Sequence, residues 1–320
     1  MSVLDVRGLK MFYSTLKGDV KAVDDVRLEM EKGEALGLVG ESGCGKTTFA
    51  LSIMRLLPWN GRIVDGKILF DGVDIIGMEE GKFNKDYRWK RLSYVFQGAM
   101  NALNPVFKVG DQIAEAITIH EDVEKDEALE RARDLFKLVG IDPERVSSYP
   151  HELSGGMKQR AMIAMALACN PDFIIADEPT TALDVIVQAQ TLQVMNELRK
   201  KLGLTMMLIT HDLSVVAQIC TTVAIMYAGK IVEYADIDTI FSNPAHPYTK
   251  ALISAFPSIK ESRRELNSIA GAPPNLLNPP TGCRFNPRCP QRMDVCTRQE
   301  PEYLDLGDRH FVACHLFSYG

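Results

Sequence analysis

Short apolar runs and helical stripes alternate along most of the chain. Residues 35–39, Ala-Leu-Gly-Leu-Val, form an apolar run preceded by Gly33-Glu34, the pattern of a buried strand. A helix-like stretch, FALSIMRLL, follows at 49–57. Residues 63–76 alternate apolar and polar around Gly66 and Gly72, which predicts a short hairpin. Leu129, Ala132, Leu135, Phe136 and Val139 recur at helical spacing, with Gly140 placed to end the helix and Pro143 just beyond. A second helix is predicted over 157–169 and a short strand over 173–177. Leu192, Met195, Leu198 and Leu202 make one helix face that stops at Gly203. Residues 205–210 read as another strand, and 223–227 with 230–234 as a hairpin about Ala228-Gly229. Strands alternating with helices over 35–234 predict an α/β fold with a mainly parallel sheet covered by helices.

After residue 256 the pattern changes. Eight of the sixteen prolines fall there, including Pro273-Pro274 and Pro279-Pro280, so long helices and central strands are excluded. Residues 257–280 read as an extended connection and 281–320 as a small module holding Cys283, Cys289, Cys296 and Cys314, four of the seven cysteines. The chain of 320 residues is long enough for one large domain and a smaller one. A net charge of −6 argues against a nucleic-acid binder working by bulk charge. Asp5 and Arg7 interrupt the place where a secretory signal would have its apolar core, and no apolar run approaches the about 20 residues of a spanning helix. The expectation is a cytoplasmic chain whose membrane role is peripheral. In a reducing compartment, clustered cysteines read as metal ligands before disulfides.

The candidate chemistry begins directly after the first buried run. GESGCGKT, residues 40–47, fits G-x-x-x-x-G-K-[ST] between a predicted strand and a predicted helix. Gly40, Gly43 and Gly45 let the backbone curl so that N–H groups from Ser42 through Thr48 can point at a polyphosphate, and the helix N-terminus adds attraction. Lys46 is placed to reach the β- and γ-phosphates, and the Thr47 hydroxyl to ligate Mg²⁺. Cys44 is counted with the loop, its thiol expected to point away. The strand FIIAD drives Asp177 out at its C-terminal end, followed by Glu178. Adjacent carboxylates there suit one for metal and one for an attacking water. HELSGGMKQR, 151–160, makes a second anion site at a helix start, with Ser154 as cap and Gly155 and Gly156 allowing close backbone approach. Two such sites on one chain are explained by a head-to-tail dimer.

These motifs, in this order, resemble the ATP-binding subunit of an ABC transporter over about residues 3–256. The resemblance makes GESGCGKT the Walker A loop, FIIADE the Walker B segment with Glu178 as catalytic glutamate, and LSGGMKQR the signature. Gln97 in YVFQGAM matches the glutamine that senses the Mg²⁺ site and contacts membrane subunits. TALD, 181–184, sits where the D-loop belongs, with Thr181 a mild departure from serine. His211 in LITHDL matches the switch histidine at the γ-phosphate. Tyr13 is the candidate for stacking on adenine, with Phe12 its neighbour and alternative. Every nucleotide position is intact, so hydrolysis is expected.

GAMNALNPVFKVGDQI, HPYTKALISAFPSI (246–259) and GAPPNLLNPPTGCRFNPRCP narrow the resemblance to the dipeptide/oligopeptide (peptide/nickel) importers. It implies a P-loop NTPase (RecA-like) nucleotide-binding domain over 1–256, with antiparallel β and helical subdomains, the latter near 98–168. A C-terminal extension over 257–320 would carry a cysteine-rich metal-cluster module. It also implies a second, different ATPase subunit, two permease subunits, an external binding protein and a place on the cytoplasmic face of the membrane. Oligosaccharide or nickel cargo, and a soluble ABC ATPase, are the alternatives. For the cysteines, the C-x5-C-x6-C-x17-C spacing suits an iron–sulfur cluster better than zinc, and the resemblance implies [4Fe–4S]. Zinc with His310 or His315 as substitute ligands, and free or disulfide cysteines, remain open. Cys169 and Cys220 read as core residues.

Overall fold

The computed structural model describes residues 2–98, 102–181, 183–255 and 269–318. Its backbone contacts divide the chain into two compact units, one formed by Glu31–Ala35 with Gly77–Ile209, the other by Ser2–Met30, Leu36–Ile76 and 210–320.

The second of these, here the loop unit, begins with strands β1 (Ser2–Thr15) and β2 (Gly18–Glu31), then β3 (Ala35–Val39), helix α1 (Lys46–Ile53), β4 (Gly61–Phe70) and β5 (Val73–Asp74). An antiparallel sheet runs in the order β2-β1-β4-β5. Its β1–β4 register, Tyr13 opposite Gly61, breaks at Lys10, and that irregularity keeps Met11 buried without strict alternation. All five residues of β3 are buried, as an apolar run in a covered parallel sheet must be.

The middle of the chain builds the carboxylate unit: α2 (Glu80–Asp86), β6 (Leu92–Val95), α3 (Val109–His120), α4 (Lys125–Leu138), α5 (Gly155–Ala166), β7 (Phe173–Asp177), α6 (Val185–Leu202) and β8 (Thr205–Thr210). Strands β6, β7 and β8 pair in parallel with β7 central. Helix α4 buries Ala128, Ala132, Leu135 and Phe136, with Asp126 and Glu127 in its first turn and Lys137 in its last, each matching the helix dipole. Asp184 caps α6 by accepting from Ile186 and Val187 N–H, and Gly203, at φ 65°, ends it.

The chain then returns to the loop unit with α7 (Leu213–Ile219), β9 (Thr222–Tyr227), β10 (Lys230–Asp236), α8 (Ile237–Ser242), α9 (Pro247–Ser254), β11 (Tyr303–Asp305) and β12 (Phe311–Ala313). Here β9 runs parallel to β3, β10 pairs antiparallel with β9, and β12 pairs with β10 and β11. The proline-rich tail thus supplies two three-residue strands, short enough to fit between its prolines, and they continue a sheet of the loop unit. The carboxyl-terminal part of HPYTKALISAFPSI and the start of the extended connection, 256–268, lie outside the described residues, as do Ala99, Met100 and Asn101 of GAMNALNP and Ala182 of TALD. No helix among the described residues is long and apolar enough to cross a membrane.

Candidate nucleotide site

In the loop unit, β3 delivers the chain to Gly40 and α1 takes it away at Lys46. Gly45 caps α1 at φ 107°, and a Cβ there would lie 2.1 Å from the Ala22 carbonyl, so only glycine fits. The Cys44 carbonyl accepts from Gly229 N–H at 2.8 Å, and Cys44 N–H donates to the Glu41 carbonyl at 3.2 Å. Lys46 is buried, its Nζ donating to the carbonyls of Gly40 at 2.7 Å and Glu41 at 3.1 Å. The Cys44 thiol is turned inward and buried, which raises its pKa and leaves it a poor nucleophile. Ser42, Gly43 and Thr47 are exposed, and no acidic residue occupies the first turn of α1 to offset its positive end. The Tyr13 hydroxyl meets Thr48 Oγ1 at 3.0 Å, which ties that ring to the loop. His211 is exposed in the turn between β8 and α7, next to Asp212, which caps α7 through Ser214 N–H at 2.8 Å.

In the carboxylate unit, Asp177 ends β7 and is 1% exposed, its Oδ2 accepting from the Tyr94 hydroxyl at 2.9 Å. Burial, reinforced by that carboxylate, raises the Tyr94 pKa, so the phenol stays a donor. Glu178 lies in the left-handed region at φ 45°, held there by its N–H to the Ile209 carbonyl at 2.9 Å. Such a conformation in a non-glycine residue costs of order 1–3 kcal/mol and collects at functional sites. Glu178 Oε2 accepts from Gln97 Nε2 at 2.8 Å and from Thr181 Oγ1 at 3.0 Å. Gln97, Glu178 and Thr181 are thus one hydrogen-bonded group, although 81 residues separate the first two. Ser154 caps α5, its Oγ accepting from Met157 N–H at 3.3 Å; Ser154 and Gly155 are exposed. Gly156 is buried, and a Cβ there would stand 2.4 Å from Val187 Cγ1 at the start of α6. The motif's second glycine therefore answers a packing demand as well as an anion's approach.

Sequence reasoning missed Tyr94 and Glu41. Tyr94 is one of four buried residues in β6, where a hydroxyl needs a partner, but nothing in YVFQ names Asp177 as that partner. Glu41 occupies an unrestricted position of the P-loop pattern.

In the tail, Cys283 N–H donates to the Cys296 carbonyl at 2.8 Å. Burial pushes Cys283 up to about 12, with Cys296, Cys314 and Cys289 adding to the shift, and burial also raises Cys289 and Cys314. Neutral thiols are favoured at Cys283, Cys289 and Cys314. Among the described residues no group of three or more His, Cys, Asp or Glu side chains is arranged to hold a metal ion. The four sulfurs have the right chemistry for iron–sulfur or zinc, but this arrangement does not support either metal. His310 and His315 are also engaged elsewhere: His310 Nε2 pairs with buried Glu233 at 2.9 Å, and His315 Nε2 meets the Gln299 carbonyl at 2.9 Å. Cys169 and Cys220 are buried, as core residues are, with the Cys169 thiol donating to the Ala116 carbonyl at 3.7 Å.

Comparison with known proteins decides the family. The ABC transporter family model matches residues 23–181, and the model for the oligopeptide/dipeptide transporter C-terminal region matches 232–296. The dipeptide transport ATP-binding protein DppD of Bacillus subtilis is 47% identical, over 98% of this chain and 94% of its own. The chain belongs to the oligopeptide/dipeptide transporter family of ABC ATP-binding subunits. The oligopeptide transport ATP-binding protein OppD of Escherichia coli is 45% identical to this ABC subunit, over 94% of this chain and 89% of its own. Among solved structures, a dimeric bacterial ABC transporter cassette is similar at TM-score 0.65 and 25% identity, covering 73% of this chain and 98% of that one. This ABC subunit is therefore a P-loop ATPase fold whose C-terminal region, from β10 as far as residue 296, a second family model matches.

Proposed function

We propose that this chain is the ATP-hydrolysing subunit of a binding-protein-dependent importer of di- and oligopeptides. It works at the cytoplasmic face of the membrane with a second ATPase subunit, two permease subunits and an external binding protein; no nucleic acid is involved. The observation that carries the reading is that dipeptide and oligopeptide transport ATPases align along nearly the whole chain, tail included.

Turnover would proceed by in-line attack of water on the γ-phosphate. N–H groups of the loop between Ser42 and Thr48 hold the phosphates, and Lys46 exchanges its carbonyl partners for β- and γ-oxygens. Tyr13 stacks on the adenine. Glu178 accepts the proton from water while Gln97 and Thr181 fix the orientation of its carboxylate. His211 contacts the γ-phosphate. The hydroxyl of Thr47, the carboxylate of Asp177 and the amide oxygen of Gln97 are hard oxygen donors, a set that fits Mg²⁺. The ion would draw negative charge off the phosphates. Ser154, Gly155 and Gly156 of one subunit would close over the nucleotide of the other, as capped helix starts favour anions.

The domain reading, an ATPase over 1–256 with a helical part near 98–168 and an extension over 257–320, belongs to the same proposal. A [4Fe–4S] cluster on Cys283, Cys289, Cys296 and Cys314 would require these thiols to ionise and close up. The four-cysteine donor set is what motivates it, and iron and sulfide analysis of anaerobically purified protein tests it. No step of hydrolysis runs through it.

Cargo is tested in proteoliposomes holding the assembled importer. ATP-dependent uptake of a labelled dipeptide or pentapeptide, requiring the binding protein, is the expected result. Uptake of an oligosaccharide or of nickel with no peptide uptake would overturn the cargo reading.

A further inference from the structure

Three of five consecutive residues in the cysteine module hold the phosphate loop of the loop unit, Arg288 directly, Phe285 through Tyr248 and Arg284 through the β9–β10 turn, and hydrolysis as described uses none of them. Arg288 holds the Glu41 carboxylate with both terminal nitrogens, Nη1 to Oε2 at 2.7 Å and Nη2 to Oε1 at 2.9 Å. Glu41 directly follows Gly40 in the loop. The same guanidinium donates to the Tyr227 hydroxyl at 3.3 Å and to the carbonyls of Ala270 at 2.9 Å and Ile269 at 3.3 Å. Its side chain is only 5% exposed, so this is a sequestered fork and not a surface ion pair. Phe285 packs against Tyr227 and Tyr248 with ring centroids 5.1 and 5.4 Å away, and the Tyr248 hydroxyl accepts the Glu41 N–H at 3.1 Å. Arg284 donates to the Ala228 carbonyl and to Asp24, and the adjacent Gly229 N–H reaches the Cys44 carbonyl. The module thus secures the loop at Glu41 and, through the β9–β10 turn, at Cys44.

Glu41 is an acid in a loop suited to polyanions. An unpaired carboxylate there repels triphosphate and is free to take the loop's own N–H groups. Arg288 removes both faults, because it neutralises the charge and fixes both oxygens away from the loop interior with a geometry lysine cannot reproduce. We propose that Arg288 is a positioning residue for the phosphate loop, so that the C-terminal module makes its own chain competent for ATP. The inference rests on the reading that this loop binds ATP.

The test is equilibrium binding of a fluorescent ATP analogue to the full chain, with melting temperature recorded for each protein. Arg288→Gln weakens binding about tenfold, an effect that shrinks at high salt; Arg288→Lys falls between it and the original chain. Glu41→Gln binds near normally, and Glu41→Gln with Arg288→Gln returns to within about threefold, since the repelling charge is gone. Normal binding by Arg288→Gln, or a double variant as weak as Arg288→Gln, would overturn the proposal; the second result leaves only a structural strap. No binding by the original chain would instead defeat the ATP reading and this inference with it.

Discussion

At the scale of single residues, Phe12 and Tyr13 offer equal aromatic faces in sequence, and the Tyr13 hydroxyl meets Thr48 Oγ1 beside the P-loop. Base–aromatic stacking is worth about 1–3 kcal/mol by alanine substitution. Tyr13→Ala should therefore weaken ATP binding roughly tenfold, Tyr13→Phe should retain most of it and Phe12→Ala should change it little, as read by nucleotide titration. A second residue sets acid sensitivity. His246 is 1% exposed and caps α9 as an acceptor for Tyr248 N–H at 3.0 Å. Burial, with a smaller contribution from Lys250, lowers its pKa to about 3. The unfolded chain therefore binds a proton below about pH 6.5 that the folded chain refuses, and stability falls as pH drops from there towards 3. That share reaches about 2 kcal/mol by pH 5. Asparagine keeps a capping acceptor and does not titrate, so His246→Asn should lose less stability than the original between pH 7 and 5 in urea unfolding.

At the scale of elements, the strongly periodic and well-punctuated pieces were legible. The strand before the P-loop, the helix ending at Gly140, the helix ending at Gly203 and the β9–β10 hairpin all stand where apolar spacing and glycine put them. Strand β1 was not legible, because the irregularity at Lys10 breaks the alternation that marks a strand. Nor were β11 and β12, whose three residues are too few for any period and are strands only through β10. Contacts between helices were equally silent, and Gly156 against Val187 is the telling case. Gly156→Ala should destabilise the protein by about 1–3 kcal/mol through overpacking, and Val187→Ala should recover much of that loss in a double-variant cycle. Equal losses with and without Val187→Ala would place the glycine's role elsewhere.

At the scale of the whole molecule, the nucleotide motifs were readable because each is a short local pattern with a fixed chemistry. The grouping of Gln97, Glu178 and Thr181 was not, since the fold makes it from distant segments. The tail shows the same limit: four cysteines drew attention to metal, whereas the arginines between them make the contacts that the fold records. Phe285 is 1% exposed among Tyr227 and Tyr248, and β12 covers an edge of β10. A chain ended after residue 256 should expose those rings and that edge and aggregate on light-scattering measurement, where the full chain stays dispersed.

The most direct test of the account is made on the assembled importer with Glu178→Gln in this chain, following ATP hydrolysis and peptide uptake in the same vesicles. A general base contributes about 10²–10⁴ in rate, so hydrolysis and uptake should fall together by at least tenfold while ATP binding persists. Hydrolysis and uptake at the original rates would contradict it.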